Sequence, residues 1–366
     1  MDQPQITHSA TRLSLLYRLL QAFNSSLNLE EMLDQVMDEV IHSLRAERGF
    51  LMLYDARGEL TFQTARGMDR SDIQEPEFEV SKSIIHRVAK EGEPILTSNA
   101  LADGNLADQR SILRLGLRSV LCVPLKLKER IIGLIYVDNR LKTGIFTIND
   151  RDMLVALAAN AAVAIENARL YVELSKAYDT TLEGWALALE LRDKETQGHS
   201  KRVVELSQRL GQALGLNPGE LLHLKRGALL HDIGKMGIPD GILLKAGPLT
   251  NEEWVVMKKH PEHAYRLLSN IDYLLPALDI PYCHHEKWDG SGYPRGLSGE
   301  QIPLAARIFT VVDVWDALTS ENRPYRKAWS RAKTLKHLQE KAGKDFDPGI
   351  VSKFVEIIEV NNGTTR

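Results

Sequence analysis

Seven of the chain's eleven histidines (His199, His223, His231, His260, His263, His284 and His285) crowd into fewer than ninety residues, while the first half holds only His8, His42 and His86. Several stand beside carboxylates. In ETQGH, Glu195 and His199 are four residues apart. On a helix that spacing puts both on one face, where they can reach one cation, although it equally suits a solvated face. In ALLHDIGK, His231 and Asp232 close an apolar run just before Gly234, at the inner edge of a core, where an unpartnered polar pair is costly. His260 in KKHPEH, the adjacent His284 and His285, and Asp313 in FTVVDVWDALTS extend the set. Asp313 sits in so apolar a helical run that an uncompensated carboxylate there would be strongly destabilising.

Any one of these groups could be a satisfied structural residue. Together they match a nitrogen and oxygen site for transition metals, with two cations bridged by a carboxylate. The only cysteines, Cys122 and Cys283, lie in separate regions, which argues against a structural zinc knuckle; Cys283 reads as a small core residue. A two-cation site of this kind suits phosphodiester hydrolysis, because it acidifies water, holds phosphate oxygens and steadies the leaving alkoxide. Lys235, three residues past Asp232, is close enough to neutralise a phosphate or protonate the leaving oxygen, or else is an ordinary exposed lysine.

The elements that must position these groups follow from periodicity. At 366 residues, 43% hydrophobic and 26% charged, the chain has material for two globular domains, and its net charge of −3 gives no sign of a nucleic-acid or membrane-surface binder. Residues 9 to 23 carry Leu13, Leu16, Tyr17 and Leu20 at helical spacing, and Asn28 caps a second helix reaching Leu44. GFLMLYD and ELTFQTA around the Ala56-Arg57-Gly58 turn read as a hairpin. A helical piece over Ile84 to Ala89 precedes the strands SVLCVPLKL and IIGLIYVD. The first half is therefore an α+β module.

A long helix begins near Thr147. Its residues Leu157, Ala161, Ala164, Ala168, Tyr171, Ser175, Tyr178, Leu182, Trp185 and Leu189 repeat in steps of four and three, the seam of a coiled coil or a stripe packed on its own domains. From Glu190 onward the pattern is almost wholly helical, with helix starts at Pro218 and at Thr250-Asn251.

HDIGK, HHEKWDGSGYPRGL and IPLAARIFTVVDVWDALTSENRPYR resemble the HD-GYP family of bacterial cyclic dinucleotide phosphodiesterases, over most of residues 180 to 366. The resemblance implies a helical HD-type fold, two or three iron or manganese ions, and hydrolysis of cyclic di-GMP to the linear dinucleotide or GMP. By position it implies His199, His231, Asp232, His260, His284, His285 and Asp313 as metal ligands, Glu195 as the ligand of a third ion, and Asp232 and Lys235 as catalytic residues. Asp289, Gly292, Tyr293 and Pro294 of the loop, with Arg323, Tyr325 and Arg326 of RPYRKAWSR, become substrate contacts. For Tyr293 a purely structural turn role stays open. Ala264 departs from the family, which has glycine there, and puts local packing in question; His263 reads as a surface residue.

Residues 28 to 168 resemble a GAF domain, with Asn139, Phe146 and Asp150 aligning to a cyclic-nucleotide signature that Arg140 and Arg151 interrupt. A sensory or dimerisation role with an unknown small-molecule ligand is implied, and Cys122 reads as core.

The expected architecture is thus multidomain. An N-terminal helix (1–27) precedes an α+β GAF domain with a central antiparallel sheet flanked by helices (28–168). A linker helix (169–190) leads to an all-α HD-type domain (191–366). A cytoplasmic homodimer is expected, joined through the N-terminal and linker helices, with no DNA binding and no membrane insertion. Other readings are a catalytically silent cyclic-dinucleotide receptor, a phosphodiesterase for cyclic GMP-AMP, and a nucleotide monophosphate phosphohydrolase, against which the GSGYP loop and RPYR argue.

Overall fold

The structure, a computed structural model, describes residues 29–69, 71–75, 80–100, 110–193, 198–320 and 327–363. They form two compact units that divide between Leu174 and Ser175. The helix expected over residues 9 to 23 and the Asn28 cap lie outside the described residues.

The first unit starts with α1 (Leu29–Leu44) and builds a five-stranded antiparallel sheet from β1 (Arg48–Tyr54), β2 (Leu60–Gly67), β3 (Ile95–Thr97), β4 (Ser119–Leu127) and β5 (Arg130–Asn139), in the order β2-β1-β5-β4-β3. Alternation along the strands divides its side chains between two cores. Leu51, Val123, Leu125, Ile135 and Val137 face α1 and the first turns of α4 (Ile148–Asp193), where Leu154, Leu157, Ala158 and Ala161 are buried. Phe50, Met52, Cys122, Leu134 and Tyr136 face the other way, onto Ile84 and Val88 of α2 (Lys82–Glu91) and Ile112 of the short α3 (Arg110–Leu115). Buried Arg48 and Asp138 form a two-pronged ion pair, with Nε 2.9 Å from Oδ1.

The three signature residues hold local structure here. Asn139 closes a turn by accepting from the amides of Leu141 and Lys142, Phe146 is core, and Asp150 binds the amide and hydroxyl of Thr147 at the start of α4. Cys122 is buried, and burial pushes its thiol pKa up.

Helix α4 begins in the first unit and ends in the second. By length and composition alone it is apolar enough to cross a bilayer. The repeating stripe read from sequence is taken up by the chain itself at some positions and exposed at others, Tyr171 and Trp185 among them. Leu157 and Ala161 lie in the first unit's core, Leu182 and Leu189 are buried in the second unit, and Tyr178 stacks on Tyr273 at 4.7 Å. Apolar residues left exposed along the middle of the helix include Leu170, Tyr171, Val172 and Leu174.

After the end of α4 the second unit is helical: α5 (His199–Ala213), α6 (Pro218–Leu229), α7 (Asp240–Leu243), α8 (Asn251–Met257), α9 (His260–Leu268), α10 (Asp279–Cys283), α11 (Leu304–Thr319), α12 (Arg331–Lys341) and α13 (Pro348–Gly363). Reciprocal capping boxes start α6, through Asn217 and Glu220, and α8, through Thr250 and Glu253, so two orphan amides are satisfied at each point where the sequence marks a helix start. The main core joins Val203 and Leu210 of α5, Leu224 of α6, Phe309 and Val312 of α11, and Phe354 of α13.

Candidate metal centre

Each histidine of the cluster stands where a helix begins or ends. His199 is the first residue of α5, and Glu190 of α4 braces that end by accepting from the amides of Gly198 and Ser200. His231 and Asp232 follow α6 and lead into a 3-10 turn, Ile233–Gly237. His260 opens α9, and His284 follows α10. Helix ends leave main-chain carbonyls open to side chains, although the Ile280 oxygen also accepts the amide of His284. The imidazoles use nearby carbonyls: Nδ1 of His231, His260 and His284 lies 2.9, 2.9 and 3.0 Å from the oxygens of Ala228, Met257 and Ile280.

A carbonyl can only accept, so each Nδ1 carries a proton and Nε2 is the nitrogen turned inward, toward Asp232 and the other donors. The site can be this tight because Gly234 has no side chain. A Cβ on it would sit 1.8 Å from the carbonyl oxygen of His260 and 2.6 Å from the amide of Ala264. Ala264 itself is fully buried against Leu230, Ile233 and Leu268, so the methyl that replaces the family glycine fills core space. His263, read as a surface residue, is half-buried instead, with its ring packed on Gly237.

Asp232 is the junction. Its Oδ1 lies 3.3 Å from His260 Nε2 and 3.7 Å from His284 Nε2; its Oδ2 lies 3.0 Å from His231 Nε2 and 2.7 Å from Lys235 Nζ. Two donor groups thus adjoin, Asp232 with His260, His284 and His285, and His199 with His231 and Asp313, the atoms of each group lying within 4.8 Å of one another. Burial opposes the charge on Asp232, but Lys235 and His231 outweigh it and hold the carboxyl well below the usual carboxylate range. Burial also pushes His260 down to about 4, and burial with the neighbouring His284 and His260 holds His285 well below an ordinary imidazole.

The arrangement fits a cation on its own geometry. His199 Nε2 is buried with no hydrogen-bond partner, 3.5 Å from Asp313. The Nε2 atoms of His260 and His284 face each other at 3.3 Å, where two lone pairs repel unless a proton or a metal lies at them. Neutral imidazoles and carboxylates in this number form a borderline donor set suited to first-row transition metals. Cys283 is buried, belongs to neither group, and has its thiol pushed up by burial to about 11.

The loop beside the cluster turns back sharply. A Cβ on Gly292 would lie 2.4 Å from the amide nitrogen of Lys287, so only glycine permits that approach. The Tyr293 ring then stacks on His285 at 4.7 Å, with Lys258 Nζ 5.3 Å from its centre, ahead of a cis Tyr293-Pro294 bond. Asp289 is exposed at the turn, its carboxylate accepting from the amide and hydroxyl of Ser291. Glu195, Arg323, Tyr325 and Arg326 lie outside the described residues.

Four supporting side chains escaped the sequence reading. Asp316 holds His199 Nδ1 at 2.7 Å, Asp193 holds Lys235, buried Glu286 accepts from the amides of Arg295 and Leu297, and Thr310 donates to the His284 carbonyl. Asp316 had a signal, a second carboxylate one turn beyond Asp313 in the same apolar helix; the other three had none comparable.

Residues 26–166 match the GAF domain family and residues 186–350 the HD domain family. The chain therefore carries a GAF domain followed by an HD domain, with α4 linking them. It is 37% identical over 209 residues to the 3'3'-cGAMP-specific phosphodiesterase 2 of Vibrio cholerae, a match covering 57% of this chain and 40% of that protein. It is 44% identical over 173 residues to the cyclic di-GMP phosphodiesterase response regulator RpfG of Xanthomonas campestris, covering 47% and 46%. It is 41% identical over 170 residues to a cyclic di-GMP phosphodiesterase of Thermotoga maritima, covering 46% of each. The chain spans less than half the length of each of these three curated relatives.

Proposed function

We propose that this chain, a GAF domain followed by an HD domain of the HD-GYP type, is a metal-dependent phosphodiesterase that opens cyclic di-GMP to linear pGpG or on to GMP. The observation that carries the reading is Asp232. One of its oxygens lies beside His260 and the other beside His231, so it would be placed to hold a cation at each donor group, and the same carboxylate pairs with Lys235. The residues fit iron or manganese in two places, with Glu195 as the ligand of a third. Bound, such cations supply Lewis acidity toward the phosphate and an activated water.

The chain's own residues supply the rest. Lys235 keeps an ammonium at the edge of the cluster, where it offsets phosphate charge and can give a proton to the leaving oxygen. Tyr293, fixed against His285, offers a ring face to a base, and burial followed by the charge of Asp232 raises its hydroxyl pKa, so it stays a neutral donor. Asp289, Gly292 and Pro294 shape the loop rim, and Arg323, Tyr325 and Arg326 are assigned to phosphate and guanine contacts.

The full donor set favours hydrolysis over a silent receptor. The similarity to a 3'3'-cGAMP-specific relative favours one second reading, cyclic GMP-AMP as substrate. Regulation by the GAF domain, through a small-molecule ligand, is supported by the last turn of α4, where Glu190 braces the start of α5 and Asp193 holds Lys235. A cytoplasmic homodimer joined through the N-terminal and linker helices completes the reading. Its supports are the exposed apolar residues mid-α4 and the two buried free thiols.

The decisive experiment is anaerobic purification with metal analysis, followed by cyclic di-GMP turnover by wild type and Asp232→Ala. Metal-loaded wild type should turn over and the variant should not; equal rates would remove the enzyme reading. Removing residues 1–150 tests the regulatory part, which fails if oligomeric state and turnover are both unchanged.

A further inference from the structure

Four imidazoles turn Nε2 into the cluster, and what stands behind them is not the same. Behind His231, His260 and His284 is a main-chain carbonyl. Behind His199 is a carboxylate, with Asp316 Oδ2 2.7 Å from Nδ1. Two helices interlock to make this pair. Helix α5 supplies His199 and, one turn later, Arg202; α11 supplies Asp313 and, one turn later, Asp316. Asp313 therefore sits 3.5 Å from Nε2 on one side of the ring while Asp316 takes Nδ1 on the other.

The Asp316 carboxylate is buried and fully engaged. Arg202 donates from Nε to Oδ1 at 2.7 Å and from Nη2 to Oδ2 at 2.9 Å, and Ser320 donates to Oδ2 at 3.1 Å. A carboxylate bears a full charge where a carbonyl bears a partial one. It polarises the imidazole more strongly, makes Nε2 the better donor to a cation, and locks the ring against rotation.

We propose that Asp316, fixed by Arg202, is a positioning residue that sets the divalent-cation affinity of one half of the cluster, the His199–His231–Asp313 group. The group of Asp232, His260, His284 and His285 does not depend on it. The two halves are then chemically unequal by construction, and the weaker or stronger loading of one cation relative to the other is written into α5 and α11. The proposal rests on the metal-centre reading above.

The test uses the full chain, stripped with a chelator and titrated with Mn2+ alone, read by calorimetry and by metal retained after desalting. Wild type is expected to take up at least two equivalents. Asp316→Asn is expected to bind one of them about 10- to 100-fold more weakly, with the remainder unchanged. Arg202→Lys, which keeps the charge but loses the two-pronged grip, should weaken the same single equivalent by a smaller factor. Matched thermal melts of the metal-free proteins establish that the variants are folded, and if Asp316→Asn is not, Arg202→Lys decides. Wild-type affinities for every equivalent, or equal weakening of all of them, would overturn the proposal. A wild-type chain that binds no Mn2+ would sink the metal-centre reading and the proposal with it.

Discussion

Asp193, the last residue of α4, holds the ammonium of Lys235 with its Oδ2 3.1 Å from Nζ, and only 3% of its side chain is exposed. The same lysine is 2.7 Å from Asp232, so its charge is shared between a residue of the cluster and a residue of the linking helix. Arg192 beside it donates to the main-chain oxygens of Lys235, Met236 and Ile238, which ties the whole 3-10 turn to α4. Were Asp232 to hold cations, Asp193 would remain as the second carboxylate on Lys235. Lys235→Met is therefore expected to cost about 100-fold in cyclic di-GMP turnover with metal content unchanged. Asp193→Asn should cost about 10-fold through misplacement, with partial recovery in Asp193→Glu. Steady-state kinetics and metal analysis on the same samples check both; loss of metal in Lys235→Met would reassign the lysine to holding the site together.

The contact between Gly234 and the start of α9 sets a second expectation. A methyl at Gly234 would collide with the main chain of His260 and Ala264, which cannot yield without moving His260 out of the cluster. Gly234→Ala should destabilise the chain by on the order of 4 kcal/mol or prevent folding. Gly184, mid-helix in α4, has nothing within 4 Å of its added Cβ, and Gly184→Ala should stabilise by about 1 kcal/mol. Urea unfolding of the two variants should move in opposite directions from wild type.

Acid acts on the metal-free cluster with a definite sign. Buried His260 titrates near 4 in the fold, against about 6.5 for an unfolded imidazole. Between those values the unfolded chain holds the extra proton. Stability is therefore whole above about pH 6.5 and is lost as pH falls toward 4, by at most about 3 kcal/mol from this residue. Urea unfolding of chelator-treated protein at about pH 7 and about pH 4.5 should show the loss, and His260→Gln should show less of it. A loss of the same size in His260→Gln would place the titration on another group.

What the sequence made legible was whatever leaves a local trace. The strands of the first unit announced themselves by alternation and β-branched residues, and the ligand candidates by being polar where their helices are apolar, as with His231 after ALL and Asp313 within FTVV. Their supporting partners left no such trace. His199 and Asp316 are 117 residues apart and meet only because α5 packs on α11. Spacing alone left α4 open, because a stripe repeating every three and four residues looks the same whether it faces another chain or, as Leu157 and Leu182 do, its own core. The order β2-β1-β5-β4-β3 depends on register between distant strands, which periodicity within one strand does not encode.

Glu286, next to the paired histidines, carries the last expectation. It is buried, and its two oxygens take the amides of Arg295 at 2.7 Å and Leu297 at 3.0 Å, so one carboxylate draws together both ends of the loop that presents Tyr293. Glu286→Ala removes the acceptor of both part-buried amides and frees the loop. Glu286→Gln keeps one acceptor but turns an amide NH2 toward the other N–H, so it should fall between. Because no donor of the cluster is removed, metal stoichiometry should hold while KM for cyclic di-GMP rises about 10-fold in the alanine variant, with a smaller change in kcat. The reverse pattern, an unchanged KM with metal lost, would show that the loop supports the ligands and leaves the substrate to other residues.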